Sequence, residues 1–208
     1  MKADLTRSTD QPAQHYRSVR MQQGRVQLDA DWNEQNAITS RRLETETRDT
    51  LGALAVPLAL DGFELVGTAG NISISPGRIY LDGLLCENSA PATLIKQPGL
   101  PGNVSPILVA SSNHLALPPA GAAALGSIQN YGSGGALTAP ADGVYVAYIE
   151  AWLRHITALE DPLIREVALG GPDSATRDQL VWQIKLLGLG ASAAPPTCAS
   201  ALPAWDAL

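Results

Sequence analysis

The hydrophobic periodicity of this chain changes once, and that change limits the folds open to it. From about Asp31 to about Leu54, the residues Trp32, Asn36, Thr39, Leu43, Thr47, Thr50 and Leu54 recur at intervals of three and four, the spacing of one stripe on an α-helix. From Phe63 onward the alternation has a period of two, the spacing of strands. This order predicts one long N-terminal α-helix followed by a β-rich body. The class is α+β, mainly β, with antiparallel sheets, hairpins and long Pro/Gly-rich loops. The chain holds 19 Gly and 15 Pro but a single Phe, which favours turns and short strands over a helical bundle. At 208 residues and 45% hydrophobic content, it is long and apolar enough to bury a core.

The helix carries punctuation at both ends. Asp31 is placed to act as N-cap, and Glu34, three residues on, completes a capping box. Asp29 and Asp31 suit the positive end of the helix dipole. Gly24 permits a tight turn before residues 25–28, which read as a short strand leading into the helix. Gly52 and Pro57 mark its end. The stripe is thin and half polar, and the remaining faces carry Glu34, Arg41, Arg42, Glu44, Glu46, Arg48 and Asp49. Two arrangements fit such a rod: a surface helix with one weakly buried edge, or a helix packed against another chain. About 24 residues at 1.5 Å each reach ~36 Å, longer than a small domain needs. The stripe is therefore expected to contact other subunits. The polar lead-in, residues 1–18, reads as an extended arm.

In the body, residues 63–68, 71–75, 78–81 and 84–87 read as strands, separated by turns at 69–70, 75–77 and 82–83. Asp82-Gly83 is a two-residue hairpin signal. Seven prolines break residues 88–142, where 107–111 is the one expected strand. Gly132-Ser133-Gly134-Gly135 is a loop without the Gly-Lys-Ser/Thr of a phosphate cradle. Residues 143–156 form the strongest strand, apolar on both faces and so expected at the centre of a sheet. Its expected antiparallel partner is 179–187. The chain thus divides into an arm, strand and assembly helix (1–57), a β-rich body (58–187) and an Ala/Pro-rich tail (188–208) that reads as a linker or docking peptide.

Three blocks carry a resemblance. His15-Tyr16 with residues 19–35 resembles the opening of a family of uncharacterised bacterial proteins whose genes sit among those of phage-tail-like contractile injection systems. Ile72-Ser73-Ile74-Ser75-Pro76-Gly77-Arg78-Ile79-Tyr80-Leu81-Asp82-Gly83-Leu84-Leu85 is similar to the Pro-Gly-Arg-x-Tyr-x-x-Gly hairpin of phage tail and baseplate proteins. Residues 160–177 resemble the injection-system family again. The resemblance implies a structural subunit of the baseplate or tail-fibre-attachment type and a homotrimer. Residues 1–10 lack the apolar run of a signal peptide, so assembly in the cytoplasm is expected.

Composition and motifs narrow the chemistry. A net charge of −6 and a pI near 5.0 argue against a nucleic-acid partner, which needs clustered Lys and Arg. No apolar run is long enough to insert in a membrane. Cys86 and Cys198 are a lone distant pair, expected reduced. Asp29 and Asp31 lack a third ligand at metal spacing. Glu160, Asp161, Glu166 and Asp173 could supply an acid and a base, but Arg165 and Arg177 suggest ion pairs within a loop. His15, His114 and His155 are isolated. No catalytic set and no cofactor site emerges. The runner-up function is a receptor- or carbohydrate-binding module using Tyr131, Trp152 or Trp205, and a cell-wall hydrolase relying on Asp161 and Glu166 ranks third.

Overall fold

The computed structural model describes residues 3–59, 62–68, 71–98, 144–190 and Thr197. Among these residues one long helix, α1 (Asp29–Leu51), is followed by eight strands: β1 (Leu54–Ala55), β2 (Leu65–Thr68), β3 (Asn71–Ile74), β4 (Gly77–Leu81), β5 (Leu84–Asn88), β6 (Ala92–Thr93), β7 (Val144–Ile156) and β8 (Arg177–Gly190). The fold is α+β and mainly β, with antiparallel sheets. The expected strand at 107–111, the loop at 132–135, the turn at 69–70 and nearly all of the tail lie outside the described residues.

The helix starts earlier than its capping pattern predicts. Leu28, extended at φ −101° and ψ 147°, is the N-cap. Asp31 stands at the third helical position, where its carboxylate accepts the Leu28 amide at 3.4 Å. It plays the reach-back part of a capping box, not the cap itself. At the far end Gly52 (φ 84°) donates its N–H to the Arg48 carbonyl at 2.8 Å. Leu54 therefore falls beyond the helix, in β1. The expected strand at 25–28 is absent. Those residues run without a bend but join no ladder among the described residues, and strand propensity is realised only against a partner.

The sheets follow short connections. β1, β4 and β5 form one in that order, with Leu54 opposite Leu81 and Ala55 opposite Tyr80. β2, β3 and β6 form a second, with Leu65 opposite Ile74 and Ile74 opposite Ala92. β7 and β8 form a third. Contacts of Tyr145 with Gly188, Glu150 with Lys185 and His155 with Asp178 run in opposite order along the two strands, as antiparallel pairing requires. The β4–β5 turn has positive φ at both Asp82 (50°) and Gly83 (88°), the type I′ geometry that Asp-Gly favours. Of the third pair it is β8, not β7, that is enclosed on both faces. Residues 181–185 are all buried, whereas Leu153 of β7 is 62% exposed.

The chain clusters into two compact units. The first gathers Met1–Ala55, Ile79–Leu85 and His155–Gln179. Its buried apolar residues are Ala30, Ile38, Ile79, Ile156 and Ala158, a small set at about 1.5–3 kcal/mol for each larger side chain. Of the 23 residues of α1 only Ala30 and Ile38 are buried. Polar ties supplement them. The Thr9 hydroxyl donates to Glu34 at 2.6 Å, Arg41 pairs with Asp10, and the Val19 amide donates to the Gln35 side chain at 2.9 Å. These fasten the N-terminal arm along the helix. The β4–β5 turn lies on the other end of α1, where the Asp82 amide donates to the Ala53 carbonyl at 2.8 Å and a Cβ on Gly83 would stand 2.2 Å from the Glu44 carbonyl oxygen.

The second unit gathers Val56–Arg78, Cys86–Arg154 and Leu180–Leu208. Its described core contains Phe63, Ile74, Cys86, Leu94, Val181, Trp182 and Ile184. Phe63 meets Trp182 edge to face, with centroids 4.7 Å apart. The Trp182 indole donates to the Glu87 carbonyl at 2.8 Å. Gln97, fully buried, behaves as a substitute peptide group. Its amide nitrogen donates to the carbonyls of Ile184 and Leu94, both at 2.8 Å, and its oxygen accepts the Ile184 amide at 2.7 Å.

Candidate assembly surface

Each residue of an α-helix turns the chain by about 100°, so residues seven apart nearly eclipse. On α1 the residues held by the rest of the first unit are Ala30, Glu34, Ile38, Arg41 and the backbone at Glu44. The predicted stripe occupies nearly the opposite side. Trp32 is 60% exposed and Leu43 64%, while Asn36, Thr39 and Thr50 are exposed and Thr47 is half-buried. Leu54, in β1, is exposed as well. The structure therefore keeps Trp32, Asn36, Thr39, Leu43 and Thr50 together on one outward face and separates Leu54 from them. The inward edge has Ile38 as its one large apolar residue, and the rest are small or charged residues that reach the arm and the hairpin turn, which is why an apolar periodicity points to the wrong side for burial.

Along the arm, α1 also borders an open cleft of ≈510 Å³ lined in part by His15, Arg41, Arg42, Glu46 and Asp49. Two cations and two carboxylates share it, and Arg41 is already paired with Asp10. The cleft selects no one ligand charge.

A second exposed surface was not legible in the sequence. The β7–β8 connection presents Leu159, Leu163, Val167 and Leu169 at 58–86% exposure. Its acidic residues hold the turns. Asp161 accepts the Leu163 amide at 3.0 Å, and Glu166 accepts the Ala168 amide at 2.9 Å. The expected ion pairs are replaced by these caps, and neither Arg165 nor Arg177 meets a carboxylate among the described residues. A carboxylate two residues before a free amide reaches it with less ordering than a long Arg side chain requires. The short polar residues before each turn were the signal available in the sequence.

The remaining chemistry-bearing residues are dispersed. His155 is not isolated, since its Nδ1 lies 3.3 Å from the Asp178 carboxylate. Cys86 is a free thiol, and burial pushes its pKa up from 9.0 to about 11, the reverse of an activated nucleophile. Trp152 is half-buried, and Tyr131, Trp205, His114 and Cys198 lie outside the described residues. Among the described residues, no three His, Cys, Asp or Glu side chains gather as a metal site would need. No helix among them is long and apolar enough to cross a membrane.

A family model described as a family of unknown function, DUF6519, matches residues 1–202. No curated protein and no solved structure matches the chain.

Proposed function

The chain belongs to that family of unknown function, and from this premise we propose that it is a structural subunit of a phage-tail-like contractile injection system. It acts by protein–protein assembly, in a baseplate or tail-fibre-attachment position, and without turnover. The observation that carries this reading is the outward face of α1. A 23-residue helix that buries only Ala30 and Ile38 in its own unit, and turns Trp32 and Leu43 to solvent, gains its missing apolar contact from other polypeptides. The three blocks of sequence resemblance support the choice of particle. Its partners are other subunits and further copies of itself, with three copies as the resemblance implies. The protein is assembled in the cytoplasm and leaves it only as part of the particle.

The test is co-sedimentation with sheath and tube proteins, together with solution mass. Association with the particle is expected, and it is lost on replacing Trp32 and Leu43 by Asp. A chain that stays monomeric and never enters a particle overturns the reading.

A further inference from the structure

Residues 25–28 alternate as a strand does, yet no strand among the described residues pairs with them. We propose that this segment is a docking strand whose partner is the same segment of a second copy, paired antiparallel about a two-fold axis at Gln27. The inference extends the self-association reading above but rests on a different surface.

The backbone sets which edge is open. Gly24 (φ 72°) closes a turn in which the Arg25 amide donates to the Gln22 carbonyl at 3.2 Å. From there the chain reaches Leu28 without a turn or bend, and Leu28 itself is extended. The Leu28 amide donates to Asp31, and its carbonyl accepts the Asp31 and Trp32 amides. Both of its peptide groups are thus spent on α1. Backbone groups alternate sides along an extended strand, so the N–H and C=O of Gln27 point away from the helix. Among the described residues they have no partner within the chain. The Asp29 amide, first in the helix, has no intrahelical acceptor either.

The side chains fit this register and not a shifted one. With Gln27 opposite Gln27 of the second copy, Arg25 stands opposite Asp29, and Val26 opposite Leu28. Cation then meets carboxylate on one face. On the other, two exposed apolar residues, Val26 at 83% and Leu28 at 48%, cover each other as a non-hydrogen-bonded pair, where side chains approach most closely. A slip by one residue sets Arg25 against Leu28 and loses both matches. A two-fold contact is self-complementary, so the copy number in solution is even: a dimer by this contact alone, or a hexamer where a three-fold contact acts as well.

The test uses the full chain with Cys198→Ser, leaving the buried Cys86 in place. In a hydrogen-bonded antiparallel pair the two Cα atoms stand about 5.5 Å apart, within the span of a disulfide. Mild oxidation is expected to cross-link Gln27→Cys into a covalent dimer, and not Arg20→Cys, which is exposed as well but outside the register. Sedimentation should give an even copy number. Gln27→Pro, which removes the central amide, should raise the dissociation constant about tenfold or more. Arg25→Asp should do the same, and Arg25→Asp with Asp29→Arg should restore pairing. Equal or absent cross-linking at the two cysteines overturns the proposal. So does a trimer that Gln27→Pro leaves intact but Trp32→Asp dissolves, although that result upholds the helix as an assembly surface. Helical circular dichroism checks that each variant folds. Should Gln27→Pro not fold, the cysteine pair decides alone.

Discussion

At the scale of single residues, the clearest constraint is Gly83. Its positive φ is strained for any other residue, and the Glu44 carbonyl fills the space a Cβ would take. Both effects fall on the contact that holds the hairpin turn against α1. Gly83→Ala is expected to destabilise by about 2 kcal/mol or more, read as a lower midpoint in urea. Cys86 makes the opposite kind of site, a thiol kept protonated by burial. Its pKa is about 11 in the fold against 9.0 when exposed. Above pH 9 the unfolded chain therefore ionises first, and the stabilisation present below that value is lost as pH rises towards 11. Cys86→Ala should flatten the alkaline slope measured between pH 8 and 11, and native Cys86 should resist thiol reagents until the chain opens.

At the scale of elements, α1 is held by its arm and by a turn more than by a core, and its exposed face is separable from its folding. The Trp32→Asp, Leu43→Asp pair should shift the melting temperature by only a few degrees, because neither side chain is buried, while abolishing higher-mass species. The reach of sequence reasoning is visible in the same elements. Residues 25–28 join no ladder and 107–111 lie outside the described residues. The other expected strands appear within a few residues of their places, and Asp82-Gly83 adopts the turn its residues demand. Local signals sufficed there because a hairpin's register is set by its own turn. The helix was legible as a helix, but not its inward face, because the arm and hairpin hold it through Glu34, Arg41 and the Glu44 backbone. Polar contacts of that sort leave no hydrophobic period to read. Strands β1 and β6, two residues each, are too short to carry any pattern. The apolar turn residues Leu159 to Leu169 were hidden among charges whose partners are backbone amides.

At the scale of the whole molecule, the second unit is closed by contacts between distant parts of the chain. Trp182 meets Phe63 and Glu87, and Ile184 pairs with Gln97 from 87 residues away. Loops of that length are costly to close before their contacts form, so this unit should fold slowly and only after β8 has been synthesised. A chain truncated after residue 176 should leave Cys86 open to thiol reagents at neutral pH, and protection of that cysteine would disprove the dependence. The Gln97 amide gives the same closure a chemical weak point. Hydrolysis to a carboxylate would exchange its donor nitrogen for an oxygen facing the carbonyls of Leu94 and Ile184, turning two attractions into repulsions in a dry interior. So long as the fold excludes water from that amide, the clasp preserves itself. Once opened, deamidation would make the loss permanent, so ageing should appear as a population unable to refold.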